Sequence, residues 1–195
     1  MLGETQKQLF KDALLSSKAR FKFVISPSTF AQTYVSPYSR WEGYGAERAE
    51  LIRFIRDSAI TNVVFLSTDD HRNLIHDVFV DRLTESAPVG TEFVTGPIAH
   101  LTDQATVLDF FALPPDTNCT LPENAVKAGC QAVAAEQAIL SFAGAHCRHL
   151  NKYSYGLVEI NATTGMLEIL LKDDQGKVIL DQLDQTTPCT RVVGP

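Results

Sequence analysis

The chain has 195 residues, of which 45% are apolar and 21% charged, with a formal net charge of −6. These proportions belong to a folded globular protein and exclude disorder as the main state. No apolar run approaches the ~20 residues that span a bilayer, and no dense basic cluster offers a face to nucleic acid as a general partner.

The opening, MLGETQKQLF, has no basic segment leading into an apolar core, which predicts no signal peptide. The four cysteines, at 119, 130, 147 and 189, lack the C-x-x-C spacing of structural zinc sites. Cys119 and Cys130 are spaced for a small disulfide loop, although four cysteines allow three complete pairings. Two sequons, Asn118-Cys119-Thr120 and Asn161-Ala162-Thr163, together with the cysteines, point to an exported relative.

In chain order, residues 4–17 read as a helix with Leu9, Phe10, Ala13, Leu14 and Ser17 on one stripe. FKFVIS (21–26) reads as a buried strand stopped by Pro27. Residues 27–44 form a Ser-, Pro- and Tyr-rich loop whose length suggests a functional role. A second helix covers 46–59, with Leu51, Ile52, Phe54 and Ile55 inward and Arg48, Arg53 and Arg56 outward. NVVFLS (62–67) is a continuous apolar run, as in a strand buried on both faces. LIHDVFV (74–80) and TEFVTG (91–96) are two further strands. Residues 103–112 read as helical or irregular, 113–122 as a loop, and 123–143 as an Ala-rich helix ended by Gly144. The tail is strand: 153–160, 166–173 and a short piece near 177–183, joined by turns carrying Asn161 to Gly165 and Asp173 to Gly176. The order predicts one α/β domain over 1–195, layered and ending in an antiparallel meander.

The chemistry concentrates at Thr68-Asp69-Asp70-His71, directly after the most buried strand. Ligands of open α/β sheets gather beyond the carboxyl ends of strands. In an extended segment, Asp69 and His71 would point to one side and Asp70 to the other. A carboxylate and an imidazole suit Zn, Mn or Fe ions.

Several stretches resemble the C-terminal half of the PhoD-like metallophosphatases. Leu2-Gly3-Glu4-Thr5-Gln6 is similar to the family's LG-x-x-Q helix start. Trp41-Glu42-Gly43-Tyr44 followed by Ala46-Glu47-Arg48 resembles its W-x-G-Y-x-x-E-R signature. NVVFLS with Asp69 and His71 looks like its strand ending in S-G-D-V-H, and EFVTGPI and Tyr155-Gly156-Leu157-Val158-Glu159 follow in the family's order. The resemblance implies a β-sandwich flanked by helices with a metal centre at its strand ends. It implies hydrolysis of phosphate mono- or diesters, Asp69 and His71 as metal ligands, and Tyr44 lining the phosphate pocket. The metal implied is Ca, Fe, Mn or Zn, with harder oxygen ligands favouring Ca and imidazole favouring Fe or Zn.

Two departures are local: Thr68 replaces the family's Gly, and Asp70 its Val. A larger one is that the family's early ligands do not occur here: an Asp-x-His strand end, a Gly-Asp-x-x-Asp strand end and an Asn-His-Asp/Glu segment. The expectation is an incomplete phosphatase or phosphodiesterase, inactive without that half. The alternative is a non-catalytic binding or oligomerisation module that self-associates. Of the remaining histidines, His100 is expected at the surface, within reach of His71's end of the sheet. His76 is expected exposed or hydrogen-bonded in its strand, and His146 and His149 without a metal role.

Overall fold

The structure is a computed structural model that describes residues 1–35, 38 and 40–194. Five strands form a mixed sheet in the order β1-β2-β4-β3-β5: β1 is Lys22–Ser26, β2 Val63–Ser67, β3 Asn73–Val78, β4 Gly90–Val94 and β5 Cys147–His149. β1, β2 and β4 run parallel, whereas β3 is antiparallel to β4 and β5. A second, antiparallel sheet joins β6 (Ser154–Ile160), β7 (Leu167–Asp173) and β8 (Thr190–Val193).

Strand alternation divides the side chains between two cores. Val63 and Phe65 of β2 face the helices, packing with Leu14 of α1 (Glu4–Ser16) and with Leu51, Ile52 and Ile55 of α2 (Gly45–Asp57). Val64 faces the other way, where Ile75 and Phe93 meet Leu167, Ile169 and Leu171 of β7. Leu74 and Val94 pack with Val133 and Leu140 of α5 (Ala128–Phe142), beside α3 (Asp103–Phe110). The result is helices, mixed sheet and small sheet in layers, which is the expected sandwich flanked by helices. β2 is covered on both sides, as its unbroken apolar run predicts. Among the described residues, no helix is long and apolar enough to cross a membrane.

Several expectations are corrected. Leu9 and Ala13 are exposed, and α1 packs through Leu2, Phe10 and Leu14, with Lys7 and Lys11 ion-paired to Glu50 of α2. Arg48 is not on a wet face: it is buried, donating to the carbonyls of Phe30, Phe79 and Val80. The Ala-rich helix is split into α4 (Pro122–Ala125) and α5, with Val126 and Lys127 between. The segment 177–183 makes only isolated bridges, at Val178 and Leu180, and the last strand is β8.

The disulfides are Cys119–Cys130 and Cys147–Cys189. The second joins β5 to the segment entering β8. Asp77 reinforces the same seam, bonded by His146 at 2.7 Å and Arg191 at 2.9 Å.

Along the sandwich side formed by β1 and β6, the inner apolar side chains are uncovered. Phe23 and Ile25 share the face of Val64 and Leu66 by register, and Val158 and Ile160 share that of Ile169 and Leu167. Their exposures are 40%, 82%, 39% and 58%, so the two sheets end here without closing over their core.

Candidate functional site

Three parallel strands bring their carboxyl ends to one rim, and the loops after them meet there: Pro27–Thr29 after β1, Thr68–His71 after β2 and Thr95–His100 after β4. Two adjoining clefts open on this rim, of about 180 and about 340 Å³. They share Pro27, Thr68, Asp69 and His71 as lining residues. The smaller one adds Arg40, Asp70 and Asp103; the larger adds His100.

Asp69 and His71 thus border the same openings, but not through strand alternation. Their φ angles are 68° and 55°, so the segment turns at two left-handed residues instead of running as extended chain. That region is sparsely used by residues other than glycine, and Asp is among the side chains that tolerate it best. The left-handed positions fall on Asp69 and His71, so the β-branched Thr68 meets no such strain.

Neighbours hold the turn. The His71 carbonyl accepts from the Asp103 amide at 2.8 Å. Asp70 points inward, as expected, and is buried. Its Oδ1 lies 2.5 Å from Arg40 Nη2, and its Oδ2 is 3.3 Å from Arg72 Nε, near enough for an ion pair but not aligned for a hydrogen bond. Burial raises the Asp70 carboxyl, and the charges of Arg72 and Arg40 oppose that rise. Arg72 also bonds Glu136 of α5, whose carboxyl burial pushes up to about 7 despite Arg72. Arg40, Arg72, Asp70 and Glu136 are buried and Asp103 is half-buried, and together they form one charge cluster at the wall of the smaller cleft.

None of the W-x-G-Y-x-x-E-R residues lines the clefts, and Trp41, Glu42 and Arg48 brace the long loop instead. The Trp41 ring stacks on Phe30 at 4.4 Å, and its Nε1 donates to Ser26 Oγ at 3.3 Å. Glu42 accepts from the Thr33 and Tyr34 amides. Glu47 holds the Leu2 amide and the terminal ammonium. From the sheet, Glu92 accepts the Phe30 and Ala31 amides at 2.8 and 2.6 Å and the Ser67 hydroxyl at 2.5 Å. Tyr44, expected at a phosphate pocket, is 47% exposed on the 3₁₀ turn Trp41–Tyr44 and lines neither cleft.

His100 is exposed, with its ring centroid 4.6 Å from that of His71. His76 is buried, its Nε2 has no hydrogen-bond partner, and burial lowers it to about 3. Its strand position faces the packed helix side rather than water. His149 is buried too and lowered to about 4, while His146 is exposed on Asp77. Arg40 and Asp103 are cleft residues that periodicity does not reveal. Their signals were indirect: Arg40 precedes the Trp41 signature, and Asp103 follows Thr102, an N-cap accepting the Ala105 amide.

The donors present do not make a complete metal site. Among the described residues, no group of three or more His, Cys, Asp or Glu side chains is arranged to hold an ion. A hydrolytic single-metal site normally takes about three protein ligands.

The family description "PhoD-like phosphatase" matches residues 1–170. The chain belongs to the PhoD-like phosphatase family. Alkaline phosphatase D of Bacillus subtilis (strain 168) is 36% identical over 102 residues, covering 48% of this PhoD-like chain and 18% of the relative. A solved structure titled "Structure of PhoD" is 32% identical, covering 49% of this chain and 20% of that one, with a TM-score of 0.45. These matches span at most 20% of the longer proteins' length.

Proposed function

We propose that this chain carries part of the metal centre of a metal-dependent phosphoric ester hydrolase, with Asp69 and His71 as its metal ligands. The observation that carries the reading is their position on one pinned turn at the carboxyl end of β2, bordering both clefts. Metal ions in such hydrolases activate water and neutralise charge at phosphorus. Asp69 offers oxygen and His71 nitrogen, a pair suited to Ca, Fe, Mn or Zn in different degrees. Because the donor set is short of three, the remaining ligands come from residues outside this chain, and the chain alone hydrolyses no ester.

The test is an assay of p-nitrophenyl phosphate and bis-p-nitrophenyl phosphate with Mn, Ca, Fe or Zn added. The chain by itself gives no turnover. Any turnover by the chain contradicts the incomplete site, and turnover that survives both Asp69→Ala and His71→Ala contradicts the two ligands as well.

A second reading, a non-catalytic binding or oligomerisation module, is favoured by the uncovered apolar side chains of β1 and β6. Such a surface calls for another polypeptide, and a second copy of the chain can serve. Light scattering tests the self-associating form of this reading: concentration-dependent dimers support it, and a monomer at all concentrations contradicts oligomerisation.

A further inference from the structure

We propose that Asn161 is an N-glycosylation site. The sequon Asn161-Ala162-Thr163 forms the tip of the β6–β7 hairpin, and all three residues are exposed. The turn leaves the acceptor nitrogen free. Asn161 Oδ1 takes the Thr163 and Thr164 amides at 2.9 and 3.0 Å, the Asn161 amide donates to the Met166 carbonyl, and the Asn161 carbonyl accepts from the Gly165 amide. The bonds that build the turn use Asn161 Oδ1 and its backbone, and none of them uses the side-chain Nδ2. Gly165 closes the hairpin at φ 69°, a value glycine adopts without strain.

Two independent features agree. All four cysteines are paired, as 119–130 and 147–189. Disulfides persist in the oxidising compartments where sequons are glycosylated. The hairpin tip is also far from the rim. Ser154, at the other end of β6, bonds Gly96 after β4, whereas the tip is held by Arg20, which precedes β1. Seven residues of strand at ~3.4 Å each put the glycan about 20 Å from the clefts. The other sequon has exposed Asn118 and Thr120 as well, but its middle residue, Cys119, is half-buried and locked to Cys130.

The transfer takes an oligosaccharide from a lipid-linked diphosphate donor. The anomeric carbon leaves the diphosphate oxygen and bonds to Asn161 Nδ2. The amide loses one proton, and the lipid diphosphate departs.

The test expresses the full chain behind a secretion leader in a glycosylating yeast and weighs the protein from both the medium and the microsomal fraction. The expected result is one N-glycan, released by peptide N-glycosidase with conversion of Asn161 to aspartate. It is lost in Asn161→Gln and Thr163→Ala and kept in Thr163→Ser, which preserves the sequon. Translocated, disulfide-bonded chain without a glycan at Asn161, or with a glycan at Asn118 alone, overturns the proposal. Reading the microsomal fraction means that a variant failing to fold for export is still scored.

Discussion

Asp70 Oδ1 lies 2.5 Å from Arg40 Nη2, and both side chains are buried. One comes from the turn after β2 and the other from the long loop after β1, so this pair ties together the two segments that frame the smaller cleft. Removing one partner leaves a buried charge uncompensated, which costs about 3–5 kcal/mol. Asp70→Val is therefore expected to destabilise the chain by that amount. The double variant Asp70→Val with Arg40→Met is expected to recover most of the loss. Urea unfolding of the single and double variants measures both.

Glu92 should be the most sensitive residue of the loop's support. It is fully buried and accepts two backbone amides and a hydroxyl. Burial raises its carboxyl, opposed by the bonds from Phe30, Ser67 and Ala31. Glu92→Leu strands both amides at about 1–3 kcal/mol each. Glu92→Gln keeps acceptor oxygen and is expected to cost less. Hydrogen exchange at Phe30 and Ala31 should rise more in the leucine variant than in the glutamine one.

The buried histidines set an acid limit. Burial lowers His76 from 6.5 to about 3 and His149 from 6.5 to about 4. Below pH 6.5 the unfolded chain takes up protons at these sites that the folded chain refuses. Stability therefore falls as pH is lowered, until about pH 4 for His149 and about pH 3 for His76. The slope is about 1.4 kcal/mol per pH unit and histidine at most. Glu136 works in the opposite direction: its carboxyl is raised from 4.5 to about 7, so its contribution is lost as pH rises across that interval. His76→Leu also removes an unpartnered buried nitrogen and is expected to flatten the acid limb. Thermal melts from pH 4 to 8 measure the slopes.

Reduction should act mainly through Cys147–Cys189. Its sequence separation is 42 residues against 11 for Cys119–Cys130, and loop-closure entropy makes them worth about 4 and about 3 kcal/mol. The paired variant Cys147→Ala/Cys189→Ala is expected to lose more stability in urea than Cys119→Ala/Cys130→Ala.

The central strand of the rim, β2, was legible in the sequence because burial on two faces keeps Val63 to Leu66 apolar up to the closing Ser67. The β6–β7 hairpin was legible because Gly165 takes positive φ; Gly176 makes a second turn as expected, but the segment after it forms isolated bridges rather than a strand. The site was half legible. Asp69 and His71 do border the same clefts, but a left-handed turn places them, and alternation along a strand says nothing about such a turn. Arg40, Arg48 and Glu92 look like surface charges in isolation. Only the fold supplies the buried partners that make them internal. β8 is a four-residue strand after a disulfide, too short for a periodic signal.

The central claim concerns two side chains and an ion, and proton NMR of the imidazoles tests it most directly. The chain has five histidines, and substoichiometric Mn²⁺ broadens those nearest its binding site even when binding is weak. His71 is expected to broaden first, with its neighbour His100, before His76, His146 and His149, and Asp69→Ala should abolish that selectivity. Uniform broadening of all five, or selective broadening of His71 that persists in Asp69→Ala, would contradict the assignment of Asp69 and His71 as a ligand pair.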